Sequence, residues 1–374
     1  MIKKILQKIF KKISYFLFFK IYGKIEHSIK TDNDRRIQVE SVNIDKDFTY
    51  KVYKITSGRL YTDRIHDTAV MLENKIIEGP SFQLRYKNYS YNNSPISNNI
   101  VFAKGTPRRL KSLNGITVSL LTGGAGNNNY WHWLHDVLPR FKLCEKIRKL
   151  EQIDYFILPS LKKNFQNETL KELNISEQKI LSSEKFRHVK TKELIVTDHP
   201  YVLSDDSHKD AQNIPKWISK WLKEKFLLNS KPSKKNYPKN IFVDRTDPTS
   251  NSSTVRSLIN ESEIRKFLKQ KNFTFVRLHE LSFVDQVHYF NNAEYIIGLH
   301  GGGFANLSFC RNETKVIEFR MEKAGPIIEN LAKNNNLKFD SIIIRLENTD
   351  YDRQSGHLKV PLNILEEKMD NVKN

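Results

Sequence analysis

Apolar and polar positions follow three rhythms along the chain. In residues 2–24, Ile2, Ile5, Leu6, Ile9, Ile13, Phe16 and Leu17 recur at helical spacing, and lysines fill much of the opposite side. Residues 31–125 carry short apolar runs between turn residues. Thr68–Leu72, Asn99–Phe102 and Ile116–Leu121 predict strands there, and Tyr86–Pro95 predicts a loop. From 142 to 228 helix and strand alternate: a helix near 142–150, strand Tyr155–Leu158, a helix near 168–173, strand Glu193–Thr197, and a helix from Ile214 to Leu228. The stretch 229–239 is polar and basic, contains Pro232 and Pro238, and reads as a linker. Beyond it the alternation is regular. Strands are expected at 240–244, 273–277, 294–298, 315–319 and 339–344, with helices at 261–270, 282–291, after 298, and at 325–333. Asn260 and Glu263 have the spacing of a capping box. Strands alternating with helices predict an α/β protein with a parallel, doubly wound sheet.

One stretch breaks the amphipathic rule. On a helix over 130–138, Trp131, Leu134, Leu138 and Phe141 form an apolar stripe. His132, Asp136 and Arg140 share the other side at i, i+4 and i+8, and His135 lies at the border. The Gly/Asn run before it reads as a loop feeding the helix. Two imidazoles, a carboxylate and a guanidinium beside two Trp suit a site helix opening into a cleft. A solvated face after an Asn-rich turn is the plainer alternative.

Composition narrows the class. The chain has 374 residues, 39% hydrophobic and 28% charged, which suits a globular protein of two domains. Cys144 and Cys310 are the only cysteines, so a disulfide scaffold or a cysteine zinc site is excluded. The net charge of +20 favours anionic partners. Residues 1–30 hold eight lysines against Glu26, a net of +7. Their apolar run is too short to span a bilayer and lacks a signal-peptide cleavage site. A basic amphipathic helix lying on an anionic membrane surface is expected; a helix docked on its own protein or on a partner is the alternative.

Two further constellations lie in the C-terminal half. Gly298-Leu-His-Gly-Gly-Gly-Phe-Ala-Asn306 follows a strand and opens a helix. Glycines at 301, 302 and 303 let backbone N–H groups approach a diphosphate, and His300 can donate to a phosphate oxygen. Glu318 ends the next strand, where a carboxylate can accept from ribose hydroxyls. Arg245 also follows a strand end, so it should face the same crevice and offset pyrophosphate charge without a metal; Arg256 follows in the next segment. A lipase-like oxyanion turn is excluded because no Gly-x-Ser-x-Gly elbow exists. His132, His135 and Asp136 lack a third ligand motif for zinc, and no clear Asp-x-Asp motif is present.

Taken together, these motifs resemble glycosyltransferase family 61, which includes capsular-polysaccharide-type bacterial enzymes and eukaryotic O-linked N-acetylglucosaminyl- and xylosyltransferases. The matching pieces are Asn129–Arg140, Arg245, Arg256 with Asn260-Glu261, Leu281-Ser-Phe with Gln286, Asn292-Ala293, Gly298–Asn306 and Val316-Ile-Glu318. The resemblance implies a GT-B architecture, two Rossmann-like domains facing a cleft, and inverting transfer from a nucleotide sugar, UDP-linked, with no tightly bound metal or cofactor. Expected domains are a membrane-surface helix at 1–30, an acceptor-side α/β domain at 31–228, the linker 229–239, and a nucleotide-sugar domain at 240–374 whose final helix can pack back on the first domain.

The expected base is Asp136 or His132, with His135 a lesser candidate. Arg245, Arg256, His300, Gly301, Gly302 and Gly303 would hold the diphosphate, and Asn306 and Glu318 would support ribose, base or turn. The expected acceptor is a glycan, lipid-linked in some form, in capsular or other cell-surface polysaccharide synthesis. The expected location is the cytoplasmic face of the membrane, reached through residues 1–28, with no nucleic acid bound. A non-catalytic binder of nucleic acid or acidic polymer on a Rossmann-like scaffold is the competing reading.

Overall fold

The computed structural model describes residues 2–63, 68–87, 90–103, 108–123, 129–233, 236–245, 257–344 and 357–371. Two compact units emerge: Met1–Gln166 with Asn174–Ala211, and Asn167–Leu173 with Gln212–Asn374. The helix expected over Ile214–Leu228 therefore belongs to the second unit, ahead of the expected linker. It runs as Lys216–Leu222 and closes in a wider turn at Lys223–Leu227.

Unit 1 is built on one ten-stranded mixed sheet. Its parallel half places His188–Thr197, Lys111–Ser119, Tyr155–Leu158 and Ile180–Ser182 side by side in that order. Read in chain order this is 4-1-2-3, so the winding reverses between Lys111–Ser119 and His188–Thr197. Crevices form at the carboxyl ends of strands at such a switch point. The other half is antiparallel except at its edge, where Ser28–Ile29 pairs parallel with Lys75–Ile77, and Thr49–Thr56 and Arg59–Thr62 both pair with His188–Thr197. Val118, Ile157, Leu194 and Ile195 are fully buried, the near-continuous apolar runs of strands covered on both faces.

Helix Ile2–Tyr22 closes the antiparallel half with one side only. Phe18 is 1% exposed and packs against Tyr61 and His188, and the Tyr22 hydroxyl accepts from the Leu110 N–H. Ile9 and Phe16 lie about 160–180° around the helix from Phe18, and both stay exposed. Among the described residues no helix is long and apolar enough to cross a membrane.

Two local expectations fail. Asn99–Phe102 is not a strand but enters a helical turn, Ile100–Ala103, because the Asn99 side chain accepts from the Val101 N–H and caps it. Tyr86–Pro95 is not a loop throughout: Leu84–Lys87 and Ser90–Asn93 pair as an antiparallel hairpin. Its Asn and Ser residues read as turn, yet tyrosines are good strand formers.

Unit 2 carries a five-stranded, wholly parallel sheet in the order Thr274–Arg277, Asn240–Asp244, Tyr295–Leu299, Lys315–Met321, Lys338–Ile344. In chain order this is 2-1-3-4-5, the flavodoxin-like winding, with its switch point between Asn240–Asp244 and Tyr295–Leu299. Helices Glu261–Gln270, Phe283–Asn292 and Ile327–Asn334 fall where the periodicity predicts. The capping box does not form. Asn260 makes no bond to the helix N–H groups; its side chain donates to the Glu263 carboxylate at 3.1 Å and ties to both backbone groups of Val360, at 2.8 and 3.0 Å. The final helix, Leu362–Asn371, buries Leu365 and Met369 in the core of its own unit with Phe242 and Leu268.

Candidate functional site

In unit 1 the carboxyl end of Lys111–Ser119 leads to the helix Tyr130–His132, started by Asn129, whose side chain accepts from the Trp131 N–H at 2.9 Å. A single π-helical turn follows at Trp133–Val137, and Leu138 N–H reaches back to the Trp133 carbonyl. Pro139 comes next and has no N–H to give, so the wider turn fits the chain around it. The expected two-faced helix is thereby altered. From Trp131 to Arg140, every residue except His132 is buried. No solvated face exists, and His132 is the only reactive side chain of the stretch that reaches the surface, with 36% of its side chain exposed.

Arg140 explains how the polar side is tolerated. Its fully buried guanidinium donates to the carbonyls of Asp136 at 2.7 Å, Thr122 at 2.5 Å and Asp198 at 3.4 Å. It thus pins the motif helix to both strand ends of the switch point. Burial pushes it down to about 10, which leaves it charged at neutral pH.

The chemistry-bearing group is a dyad. His132 Nδ1 lies 2.9 Å from Asp136 Oδ2, and the Tyr201 hydroxyl donates to Asp136 Oδ1 at 2.5 Å. Burial alone would raise Asp136, but the charge and hydrogen bond of His132, with the hydrogen bond from Tyr201, outweigh it and hold the carboxyl below its ordinary range. Burial likewise opposes the charged His132, yet Asp136 prevails and raises that imidazole above its usual value. With both carboxylate oxygens engaged and 4% exposure, Asp136 orients His132 rather than meeting a ligand itself. His135 has no such access: it is fully buried against Trp131, and burial pushes it down to about 3.

Sequence reasoning missed Tyr201 and His199. They follow directly on the strand His188–Thr197, at the carboxyl end beside the motif helix. The signal was available: a His-Pro-Tyr run just past a strand end belongs to the crevice that a doubly wound sheet forms.

In unit 2 the residues read from the sequence converge at the other switch point. Arg245 follows Asn240–Asp244, and the glycine run follows Tyr295–Leu299. Arg245 Nη1 donates to the His300 carbonyl at 2.7 Å. A Cβ on Gly301 would come within 2.8 Å of that nitrogen, so the glycine lets the guanidinium lie on the backbone. Among the described residues Arg245 has no carboxylate partner, and burial lowers it. Gly301, Gly302 and Gly303 are half-exposed at the start of a 3-10 helix, Gly302–Phe309, whose first N–H groups have no partner within the helix.

Two residues expected to support ribose, base or turn are buried behind the glycine run. Glu318 is fully buried and takes the Nδ1 side of His300 in a short hydrogen bond, so it orients His300 and does not face a ribose. Asn306 is also fully buried. It donates to Gln286 Oε1 and to the Gly303 carbonyl, both at 3.2 Å, and so fixes the glycine turn from behind. Arg256 lies outside the described residues.

The sequence model of a family described as Glycosyltransferase 61 matches residues 130–317, half of the chain, starting at the motif helix. No curated protein matches in sequence. Among solved structures, a mutant flavo di-iron protein from Thermotoga maritima aligns with 90% of this chain and 98% of its own at 10% identity. Its TM-score of 0.24 is too low to indicate a shared fold.

Proposed function

Because the chain belongs to glycosyltransferase family 61, we propose that it transfers a sugar, with inversion, from a nucleoside-diphosphate donor to a glycan hydroxyl. The donor is UDP-linked in this reading. Unit 2 holds the diphosphate, with Arg245 and the N–H groups of Gly301, Gly302 and Gly303 around it, His300 held by Glu318, and Arg256 as a further contact. Unit 1 supplies the base. His132 takes the acceptor proton on Nε2 while Asp136 holds Nδ1–H. The acceptor oxygen forms its bond to the anomeric carbon as the bond to the diphosphate oxygen breaks, and the leaving pair stays on phosphate. This division of labour keeps the GT-B expectation and needs no tightly bound metal.

The observation that carries the reading is Arg245, a guanidinium with no carboxylate partner among the described residues, laid on a half-exposed glycine run at a switch point. A screen of nucleotide sugars by thermal shift tests it first. A transfer assay with the best donor follows, on His132→Ala and Asp136→Asn. Near-wild-type turnover in both variants, with donor affinity unchanged, would sink the base assignment.

The cellular setting is part of the same proposal: synthesis of capsular or other cell-surface polysaccharide on a lipid-linked acceptor at the cytoplasmic face. Helix Ile2–Tyr22 supports it. Ile2, Leu6, Phe10, Ile13 and Phe16 are each at least half exposed, and lysines accompany them along the helix. Such an arc suits the interface of an anionic membrane.

A further inference from the structure

We infer that Tyr201 is a positioning residue that sets the proton affinity of His132 through Asp136; the inference rests on His132 being the base. The segment after strand His188–Thr197 is held by contacts that share one result. His199 Nδ1 accepts from the N–H groups of Tyr201 at 3.3 Å and Val202 at 3.1 Å. The Tyr50 hydroxyl donates to the Pro200 carbonyl at 2.8 Å, and Arg140 reaches the Asp198 carbonyl. The ring of His199 stands edge-on to that of Tyr201 with centroids 4.6 Å apart. Every one of these contacts fixes where the Tyr201 hydroxyl points, and it points at Asp136 Oδ1, 2.5 Å away.

Asp136 is faced by His132, Tyr201 and His199, with the Arg140 guanidinium on its own carbonyl and His135 next to it in the chain. His132 is faced by Asp136, with His135 and His199 nearby. In this enclosure a carboxylate shares its charge between two donors. The more Tyr201 takes, the less is left for His132. Removing the hydroxyl leaves Oδ1 without that donor in a buried site, and the charge then binds the imidazolium more tightly. Tyr201 never meets the acceptor; it adjusts the group that does. Because His199 Nδ1 accepts two N–H groups, its proton sits on Nε2, and burial pushes it down to about 3. His199 thus stays neutral and adds no competing charge.

The test uses the full chain with 15N-labelled imidazoles, titrated by NMR, with His132 assigned from its absence in His132→Gln. In the wild type His132 titrates above the ordinary 6.5 and is the Nδ1–H tautomer when neutral. In Tyr201→Phe the midpoint rises by about 0.5–1 pH unit more. Replacing Tyr201 by 3-fluorotyrosine, a stronger donor of nearly the same shape, lowers it. A His132 midpoint unmoved by either replacement, even with a lower melting temperature, overturns the inference and leaves Tyr201 a packing residue. If Tyr201→Phe fails to fold, the fluorotyrosine protein decides alone. The underlying reading is tested separately: transfer retained in His132→Gln removes the base assignment whatever the titration shows, whereas loss of transfer with an unmoved midpoint removes only the role of Tyr201.

Discussion

Acidification should unfold unit 1 well before ordinary acid denaturation. The cause is three buried neutral imidazoles, His135, His188 and His199, each 2% exposed or less. Burial pushes His135 and His199 down to about 3 and His188 to about 4, with Arg59 beside His188 adding to the effect. Their folded values lie below the unfolded one of about 6.5. Between those limits the unfolded chain binds more protons, so stability falls as pH drops through 6.5, and the loss levels off only near the folded values. At pH 5 each group costs about 2 kcal/mol relative to pH 7.5, and the three together about 6 kcal/mol. A typical domain has about 5–15 kcal/mol in total. His132 works the other way: its raised value gives a contribution present below 6.5 and lost as pH rises through the folded value. Asp136, lowered in the fold, keeps its contribution at pH 5 and loses it only as pH falls through its folded value. The assay is urea unfolding of the full chain at pH 7.5, 6.5, 5.5 and 5.0, followed by tryptophan fluorescence, with His135→Phe as a non-titrating control. The expected result is a steep loss in the unit 1 transition, with about a third of the slope removed in His135→Phe. A unit 1 free energy constant to within about 1 kcal/mol over this range would refute the argument.

Other outcomes follow from single contacts. Gly301→Ala places a Cβ 2.8 Å from Arg245 Nη1; the flexible guanidinium moves aside, so the fold persists while affinity for UDP by calorimetry drops about 10- to 100-fold. In the N-terminal helix, Ile9→Ser with Phe10→Ser and Phe16→Ser should abolish co-sedimentation with anionic vesicles and leave transfer to a soluble acceptor unchanged. Phe18→Ala, on the docked side, should instead destabilise unit 1 by about 3–5 kcal/mol. Deleting the whole helix confuses the two effects, since Phe18 belongs to the core. The pH profile of transfer should fall on its acid side through a midpoint above 6.5, because His132 must lose a proton that Asp136 helps it keep.

The two halves of the chain differ in legibility. In unit 2 strand and helix alternate with clear periods, so Asn240–Asp244 and Glu261–Gln270 were readable to the residue. Arg245 and Gly301 are next to strand ends, where topology alone carries them to one crevice. In unit 1 the strands come from distant segments and pair in mixed directions, which no local pattern records. Thr122, Arg140 and Tyr201 meet only because Lys111–Ser119 and His188–Thr197 are neighbours in the sheet. The helical wheel placed His132 with Asp136 correctly, since i, i+4 spacing is local. It also gave Arg140 to an open face, and there tertiary packing decides: three backbone carbonyls take the guanidinium inside. Glu318 shows the same limit. Its strand was readable, but that strand runs on to Met321, so Glu318 lies within it and not at its end, buried against His300.

The central claim is that proton removal and diphosphate binding reside on different units. The most direct measurement is UDP affinity alongside transfer rate in His132→Gln and Arg245→Met, with the donor found by the thermal-shift screen. The account predicts that both variants lose transfer, while UDP binding survives in His132→Gln and weakens strongly in Arg245→Met. Full UDP affinity in Arg245→Met, or transfer retained in His132→Gln, would contradict it.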